Sequence, residues 1–349
     1  MSLLRALLRP AVLVMVLGVP AARATPPSPL EALIEQGSQR LEAGDLAGAL
    51  EKFDRAARLD AKDPRPRYLG AVALEKKGDA AGAERLFREA LKLDPKLADV
   101  RAELGALLHD QKRYDEAIVE LKQALAQKAD LGDAWFNLGQ AQLAMRRCAE
   151  AAEAFARAAP LKPGDADPAV QRSIALRQCK KPDEALKAAR EAVKTAPQSP
   201  LAQLNLGIVL EKAGKPDDAR AAYGAATRLK PDYGTAYWSL GLLELHAGRP
   251  AEAKPALEKA RTLSATPART TDLGRCYRDL RDLPRAEAMF REALAADGKY
   301  GPARFFLAQV LSATGRCADM ERELAALPAA EGKSEDAQKL RAGCKKPKK

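Results

Sequence analysis

The strongest constraint on the fold is a repeat of 34 residues. WFNLGQ from Trp135, YWSLGL from Tyr237 and DLGRCY from Asp272 place a Leu-Gly pair at the same point of that repeat. A period of roughly 20 to 50 residues is typical of arrays in which each repeat is one supersecondary unit. Nine units follow one another, 34 residues apart except for one step of 33, and begin at Leu30, Pro64, Ala98, Gly132, Ala166, Pro200, Gly234, Pro267 and Gly301.

Each unit has the pattern of two helices joined by a turn. The twentieth and twenty-seventh positions are alanine in eight units, and a large residue such as Phe53 or Phe155 lies between them on one helical stripe. Glycine at position fifteen of five units ends the first helix, and proline at position seventeen of three units fits the first turn of the second. The eighth position is always small: Gly37, Ala71, Gly105, Gly139, Ser173, Gly207, Gly241, Gly274 and Ala308. A single hairpin cannot cover its own apolar face, so neighbouring units must stack.

These units resemble the tetratricopeptide repeat family. The resemblance covers residues 30 to about 327 and implies an all-α fold, a right-handed superhelical solenoid of nine helical hairpins whose first helices line a concave groove. In the family that groove holds peptides or partner proteins. The residues that carry the resemblance are Trp135, Leu138, Gly139, Ala151, Phe155, Ala158 and Pro163 in the fourth unit, and Leu273, Gly274, Tyr277, Ala286, Phe290 and Ala293 in the eighth.

The N-terminal segment predicts export. Two arginines lead an apolar run, Ala11–Val19, and the small residues Ala22 and Ala24 flank the end of the segment. A membrane anchor is the alternative, but prolines bound the run well short of the roughly 20 residues that a span needs. We expect an exported protein that is periplasmic or secreted and that works in a bacterial cell envelope.

The expected organisation is a signal peptide at 1–24, a short linker at 25–29, the array at 30–329, and a capping helix with a basic tail at 330–349.

The resemblance implies that positions two, five, nine, twelve and thirteen face the groove. Position five is mostly apolar or aromatic, and the core positions are already occupied elsewhere in the repeat, so we interpret this row as a binding surface. A core stripe is the alternative. The lysines with which some family members grip a C-terminal carboxylate are absent here, whereas the arginines leave an acidic or phosphorylated ligand open. The candidate groove residues are Tyr68, Phe136, Asn137, Leu204, Asn205, Trp238, Phe305, Arg177, Arg275 and Arg278.

Motifs for catalysis or cofactor binding are missing from the sequence. The two histidines, His109 and His246, belong to the third and seventh units, too far apart in a stacked array to share a metal or a triad. No phosphate loop, HExxH or paired CxxC occurs. We therefore expect no enzyme, no cofactor and no metal.

The cysteines follow the repeat. Cys148 lies at the start of the second helix of the fourth unit, and Cys179 lies at the end of the first helix of the fifth. Cys317 lies at the start of the second helix of the ninth unit, and Cys344 would end a following capping helix. Exported proteins meet oxidising conditions, so both pairs are interpreted as disulfides, with free or metal-bound cysteines as the alternative. Cys276 is expected to be a buried thiol.

The chain carries a formal net charge of +11, and its last five residues read KKPKK. For an exported protein we expect this tail to contact anionic envelope polymers and not nucleic acid.

The predicted function is an exported scaffold that holds a peptide segment or partner subunit in its groove. An assembly factor for a secretion, pilus, motility or polysaccharide machine is the alternative, and an enzyme with a site on the array is a more distant one.

Overall fold

The computed structural model describes residues 27–344, which divide after Lys181 into two compact units. The predicted signal peptide and the Lys345–Lys349 tail lie outside the described residues. The N-terminal unit contains nine helices: α1 (Pro29–Glu42), α2 (Leu46–Leu59), α3 (Arg65–Lys77), α4 (Ala80–Leu93), α5 (Ala98–Asp110), α6 (Tyr114–Gln127), α7 (Gly132–Ala144), α8 (Cys148–Leu161) and α9 (Asp167–Gln178).

The C-terminal unit is built in the same way. Its helices are α10 (Pro182–Thr195), α11 (Pro200–Lys212), α12 (Pro216–Leu229), α13 (Gly234–His246), α14 (Pro250–Leu263), α15 (Pro267–Asp279), α16 (Leu283–Ala296), α17 (Gly301–Ala313), α18 (Cys317–Ala325), α19 (Ala329–Gly332) and α20 (Glu335–Cys344). Every regular element in residues 27–344 is a helix. The predicted all-α fold of paired helices is confirmed in both units.

Small residues at position eight let the two helices of a hairpin approach closely. A Cβ atom added to Gly139 of α7 would lie 2.7 Å from the ring of Phe155 on α8, and one added to Gly207 of α11 would lie 2.5 Å from Tyr223 on α12. Phe155 and Tyr223 are buried, as are the alanines that precede and follow them on the same stripe. The core therefore lies between the two helices of these hairpins, as the repeat pattern predicts.

The turn between the helices uses one backbone conformation in all nine repeats. The residue at position fifteen has a positive φ whether it is a glycine, such as Gly78 (86°), or a longer residue, such as Lys112 (61°) or Arg146 (59°). This left-handed residue ends the first helix and turns the chain toward the second. The sequence indicated the turn only in the five units that carry glycine there.

The C-terminal unit ends in a short packed segment. Helix α18 is only nine residues long, and α20 packs against α17 and α18. Ala337 of α20 is fully buried, and Leu340 packs on the core cluster that contains Met320 and Leu324. This arrangement gives the last hairpin an apolar partner of the kind expected from a capping helix.

Candidate functional site

A cavity of about 540 Å³ opens beside the first helices of the N-terminal unit. Helices α5 and α7 pack side by side at this place. Asn137 of α7, one of the candidate groove residues, is among the residues that line the cavity. The other lining residues are Glu75 of α3, Asp99, Ala102, Glu103, Ala106 and Asp110 of α5, Lys128, Asp130, Leu131, Gly132, Asp133, Ala134, and Leu161 and Lys162 at the end of α8.

Two aromatic side chains of the predicted row lie half-buried on this face. The ring of Tyr68 rests 6.2 Å from that of Phe87, and the ring of Phe136 meets Phe155 edge-on at 5.6 Å, measured between centroids. Each ring thus packs on a core aromatic of its own hairpin and keeps part of its surface accessible. Tyr68 and Phe136 therefore combine a fixed position with an exposed edge, which suits an anchor for a bound chain.

The cavity is strongly acidic. Lys128 Nζ lies 3.1 Å from Asp99, and Lys162 Nζ lies 3.1 Å from Asp133. Within residues 27–344, by contrast, no ion pair reaches Glu75 or Glu103. Burial, and then the neighbouring carboxylate of Glu75, raises the pKa of Glu103 to about 7.

The negative potential also acts on neighbouring groups. Burial, followed by the charge of Asp110, raises the pKa of Glu75. The pKa of Tyr68 rises for the same first reason, with the carboxylates of Glu103 and Asp99 adding to it. The cavity of the N-terminal unit therefore carries more carboxylate groups than the lysines of its lining can pair with.

The C-terminal unit places its candidate residues in a self-contained polar network. Trp238 Nε1 donates to Asp272 Oδ2 at 2.9 Å, and Arg275 Nη1 donates to Asp272 Oδ1 at 2.8 Å. Arg278 donates to Asp279 at 2.8 Å. The guanidinium groups of Arg275 and Arg278 lie 5.3 and 5.1 Å from the centroid of the Phe306 ring.

Both arginines thus have carboxylate and aromatic partners inside the protein, and Arg278 Nη1 also donates to Gln309. Phe305 lies half-buried beside Phe306, with ring centroids 6.1 Å apart. Arg177, in the last turn of α9 in the N-terminal unit, is half-buried.

Part of the predicted row is buried. Leu204 is 5% exposed and Asn205 is 4% exposed, and Leu204 packs in a cluster with Ala219, Tyr223 and Ala236. Val170 and Thr271, which share position five with Leu204, are buried as well. The expectation that position five has no packing partner therefore fails for these units, since Leu204 packs with residues of its own hairpin and with Ala236 of the next one. Leu204 and Asn205 are not accessible anchors in this structure.

The cysteines lie where the sequence places them. Cys148 and Cys179 have Cα atoms 5.7 Å apart, and Cys317 and Cys344 have Cα atoms 5.6 Å apart, with both pairs at disulfide distance. Cys276 is buried and its thiol donates to the Pro250 carbonyl at 3.1 Å. Burial, and then Asp279, raises the pKa of Cys276 to about 11, so this thiol is unreactive at neutral pH.

In the N-terminal unit, His109 Nδ1 of α5 lies 3.1 Å from Asp110 Oδ1, and in the C-terminal unit His246 is exposed at the end of α13. In the described part of the chain, no three histidine, cysteine or carboxylate side chains are grouped as metal ligands would be. Among residues 27–344, no helix has the length and apolar character that crossing a membrane requires.

Sequence reasoning missed the acidic groove. The signal was present, since the third unit carries Asp99 at position two, Glu103 at position six and Asp110 at position thirteen, and the fourth carries Asp133 at position two. Along the sequence these acids alternate with lysines and arginines, a pattern that by itself indicates a solvated surface. The burial of these acids, and their distances from lysine and arginine side chains, depend on how the hairpins stack.

Two family models describing tetratricopeptide repeats match the chain. One matches residues 172–217 and 204–267, and the other matches residues 74–130, 108–178 and 277–344. These matches span more than half of the chain and agree with the stacked helical hairpins, which define a helical repeat protein. The chain belongs to the tetratricopeptide repeat family. Arrays of this family typically act as non-catalytic scaffolds for protein interaction.

Solved structures show the same fold at low sequence identity. A tetratricopeptide repeat protein from Parabacteroides merdae is 17% identical with a TM-score of 0.53, over 71% of this chain and 99% of that one. PilF of Pseudomonas aeruginosa is 21% identical with a TM-score of 0.51, over 62% and 97%. The C-terminal part of a repeat protein from Cytophaga hutchinsonii is 15% identical with a TM-score of 0.56, over 69% and 99%. A comparison with curated proteins gives no match.

Proposed function

We propose that this protein is an exported scaffold that holds an extended segment of a partner protein against the first helices of its N-terminal unit. The observation that carries the proposal is the cavity between α5 and α7, flanked by the half-exposed ring of Phe136 and lined by the Asn137 amide. A rigid aromatic edge and a backbone-binding amide beside a concave surface suit an extended peptide. The protein acts by binding, and no chemical step is assigned to it.

Export to a bacterial cell envelope is the second part of the proposal. It is supported by the order of charged, apolar and small residues in the first 24 positions and by two cysteine pairs at disulfide distance. N-terminal sequencing of the protein from its native host should begin at or near Thr25. Recovery of the intact N-terminus from a membrane fraction would contradict export.

Alanine substitution separates anchoring from packing in the groove. Phe136→Ala should weaken capture of the native partner about tenfold or more, as expected for an anchor residue. Val119→Ala is the matched control, because Val119 is 52% exposed on the second helix α6. Phe136→Ala should also leave the protein folded, whereas Phe155→Ala, at a fully buried site, should cost about 3 to 5 kcal/mol of stability. Unchanged capture by Phe136→Ala would overturn the groove proposal.

A further inference from the structure

The cavity of the N-terminal unit has more negative than positive charge. Six carboxylate side chains and two lysine side chains line it. The acids are Glu75, Asp99, Glu103, Asp110, Asp130 and Asp133, and the bases are Lys128 and Lys162. Lys128 already pairs with Asp99, and Lys162 already pairs with Asp133. Charge of one sign in a concave, partly desolvated surface attracts ligands of the opposite sign and strengthens their binding.

The protein itself shows how this surface receives a lysine. The ammonium group of Lys162 lies 5.0 Å from the centroid of the Phe136 ring and 3.1 Å from Asp133 Oδ1. Lys162 therefore combines a cation–π contact with an ion pair at the edge of the cavity.

The acids are spread along the groove. On α5 alone they run from Asp99 to Asp110, which corresponds to roughly 16 Å of helix at 1.5 Å per residue. An extended peptide covers that length with about five residues at 3.3 Å each. A chain with cations on alternate residues can thus meet several of these carboxylates at once, whereas a single small cation can meet only one end.

We propose that the groove of the N-terminal unit selects an extended segment of a separate partner protein that is rich in lysine or arginine. This inference rests on the proposed function and names the chemistry of its ligand. Burial raises the pKa values of Glu75 and Glu103, and no ion pair within residues 27–344 places a cation on either carboxylate. The C-terminal unit differs, since its groove arginines Arg275 and Arg278 already have carboxylate partners.

Fluorescence anisotropy with three labelled nine-residue peptides tests the selection on the purified protein. The peptides carry lysine, serine or glutamate at alternate positions, separated by alanine. The lysine peptide should bind about tenfold or more tightly than the serine peptide, a difference of about 1.4 kcal/mol. Its affinity should fall as salt rises, because exposed ion pairs are screened.

A charge-matched pair of variants assigns the binding to the groove. Glu75→Gln with Glu103→Gln should weaken the lysine peptide about tenfold. Glu116→Gln with Glu153→Gln removes the same charge from the second helices α6 and α8, where both acids pair with arginines, and should change affinity about twofold or less. Equal losses in the two double variants would mean general electrostatic attraction and would overturn the proposal.

The remaining outcomes distinguish the two proposals. If the serine or glutamate peptide binds as tightly as the lysine peptide and Phe136→Ala abolishes that binding, the basic ligand is wrong and the groove function stands. If the lysine peptide does not bind, the basic-segment proposal falls, and partner capture by Phe136→Ala decides the function separately. If deletion of Lys345–Lys349 raises lysine-peptide affinity tenfold or more, the tail of this chain is the occupant and a separate partner is excluded.

Discussion

The Cα atoms of Cys317 and Cys344 lie 5.6 Å apart and bring the last residue of α20 against the first residue of α18. This contact holds the terminal segment on the last hairpin, where α20 packs against α17 and α18. The pair Cys148 and Cys179 joins α8 to the end of α9 inside the N-terminal unit. The two pairs thus occupy equivalent places in the repeat but different structural contexts.

The terminal cysteine pair should contribute more to local order than the internal one. Closing a loop of this size stabilises by roughly 3 to 4 kcal/mol in the chain-entropy description. Cys317→Ser with Cys344→Ser should accelerate hydrogen exchange in α20 and α18, and Cys148→Ser with Cys179→Ser should leave α20 unchanged. Non-reducing peptide mapping should show both linkages with Cys276 unpaired, and a linkage to Cys276 would contradict the assignment.

The left-handed turn residues predict two opposite effects. Lys112 and Arg146 hold positive φ at a cost that glycine avoids, so Lys112→Gly or Arg146→Gly should stabilise the protein by about 0.5 to 1 kcal/mol. Gly78→Ala at the equivalent position should destabilise it by about 1 kcal/mol, because a Cβ there meets no atom within 4 Å and only the backbone is strained. Urea unfolding measures both. The same sign for all three variants would refute this account of the turn.

The close approach of α7 and α8 depends on Gly139. Gly139→Ala places a methyl group 2.7 Å from the Phe155 ring and should cost about 1 to 3 kcal/mol by overpacking. Gly343→Ala is the control, since a Cβ there meets nothing within 4 Å. Thermal unfolding compares the two. A Gly139→Ala protein as stable as the control would mean that the helices separate without cost.

The acidic groove makes stability depend on pH at Glu103. Its folded pKa of about 7 lies above the unfolded value, so the folded state loses stability as pH rises from about 4.5 to 7 and no more above that. Glu103→Gln should therefore raise the melting temperature at pH 8 and have little effect at pH 4.5. After burial, the carboxylates of Glu75, Asp133 and Asp99 contribute to the raised pKa of Glu103, and all three remain in the variant.

Glu84 provides the control of opposite sign. Its hydrogen bond from Arg113 lowers the pKa of the carboxyl, so its stabilisation is present above the unfolded pKa and is lost as pH falls through the folded value. Glu84→Gln should lower the melting temperature at pH 8, with the difference fading in acid. If Glu103→Gln lowers the melting temperature at pH 8 as well, the groove does not hold an uncompensated charge.

The fold could be predicted where one residue type repeats at one position. Glycine at position eight and alanine at positions twenty and twenty-seven gave the hairpins and their core, and the placement of Cys148 and Cys317 gave the paired cysteines. The accessibility of position five could not be predicted. Leu204 is buried and Phe136 is only half-buried, although both are apolar residues at the same position of the repeat. The packing of the next hairpin contributes to that difference, since Ala236 of that hairpin belongs to the cluster that contains Leu204.

The charge of the groove was equally beyond the repeat pattern. Asp99 and Glu103 belong to the same helix, yet Lys128 reaches Asp99 from a separate segment of chain and no cation in residues 27–344 reaches Glu103. Such pairing depends on distances across the stack, which spacing along one helix does not contain.

Site-specific photo-cross-linking tests the central claim, that the first-helix face of the N-terminal unit holds the partner. A photoreactive residue replaces Phe136 on α7 in one protein and Val119 on α6 in another, and both are irradiated in the native cell envelope. The account predicts one cross-linked partner at position 136, with the attachment site in an extended, lysine- or arginine-rich segment, and no such product at position 119. A partner joined at position 119 and not at 136 would contradict it.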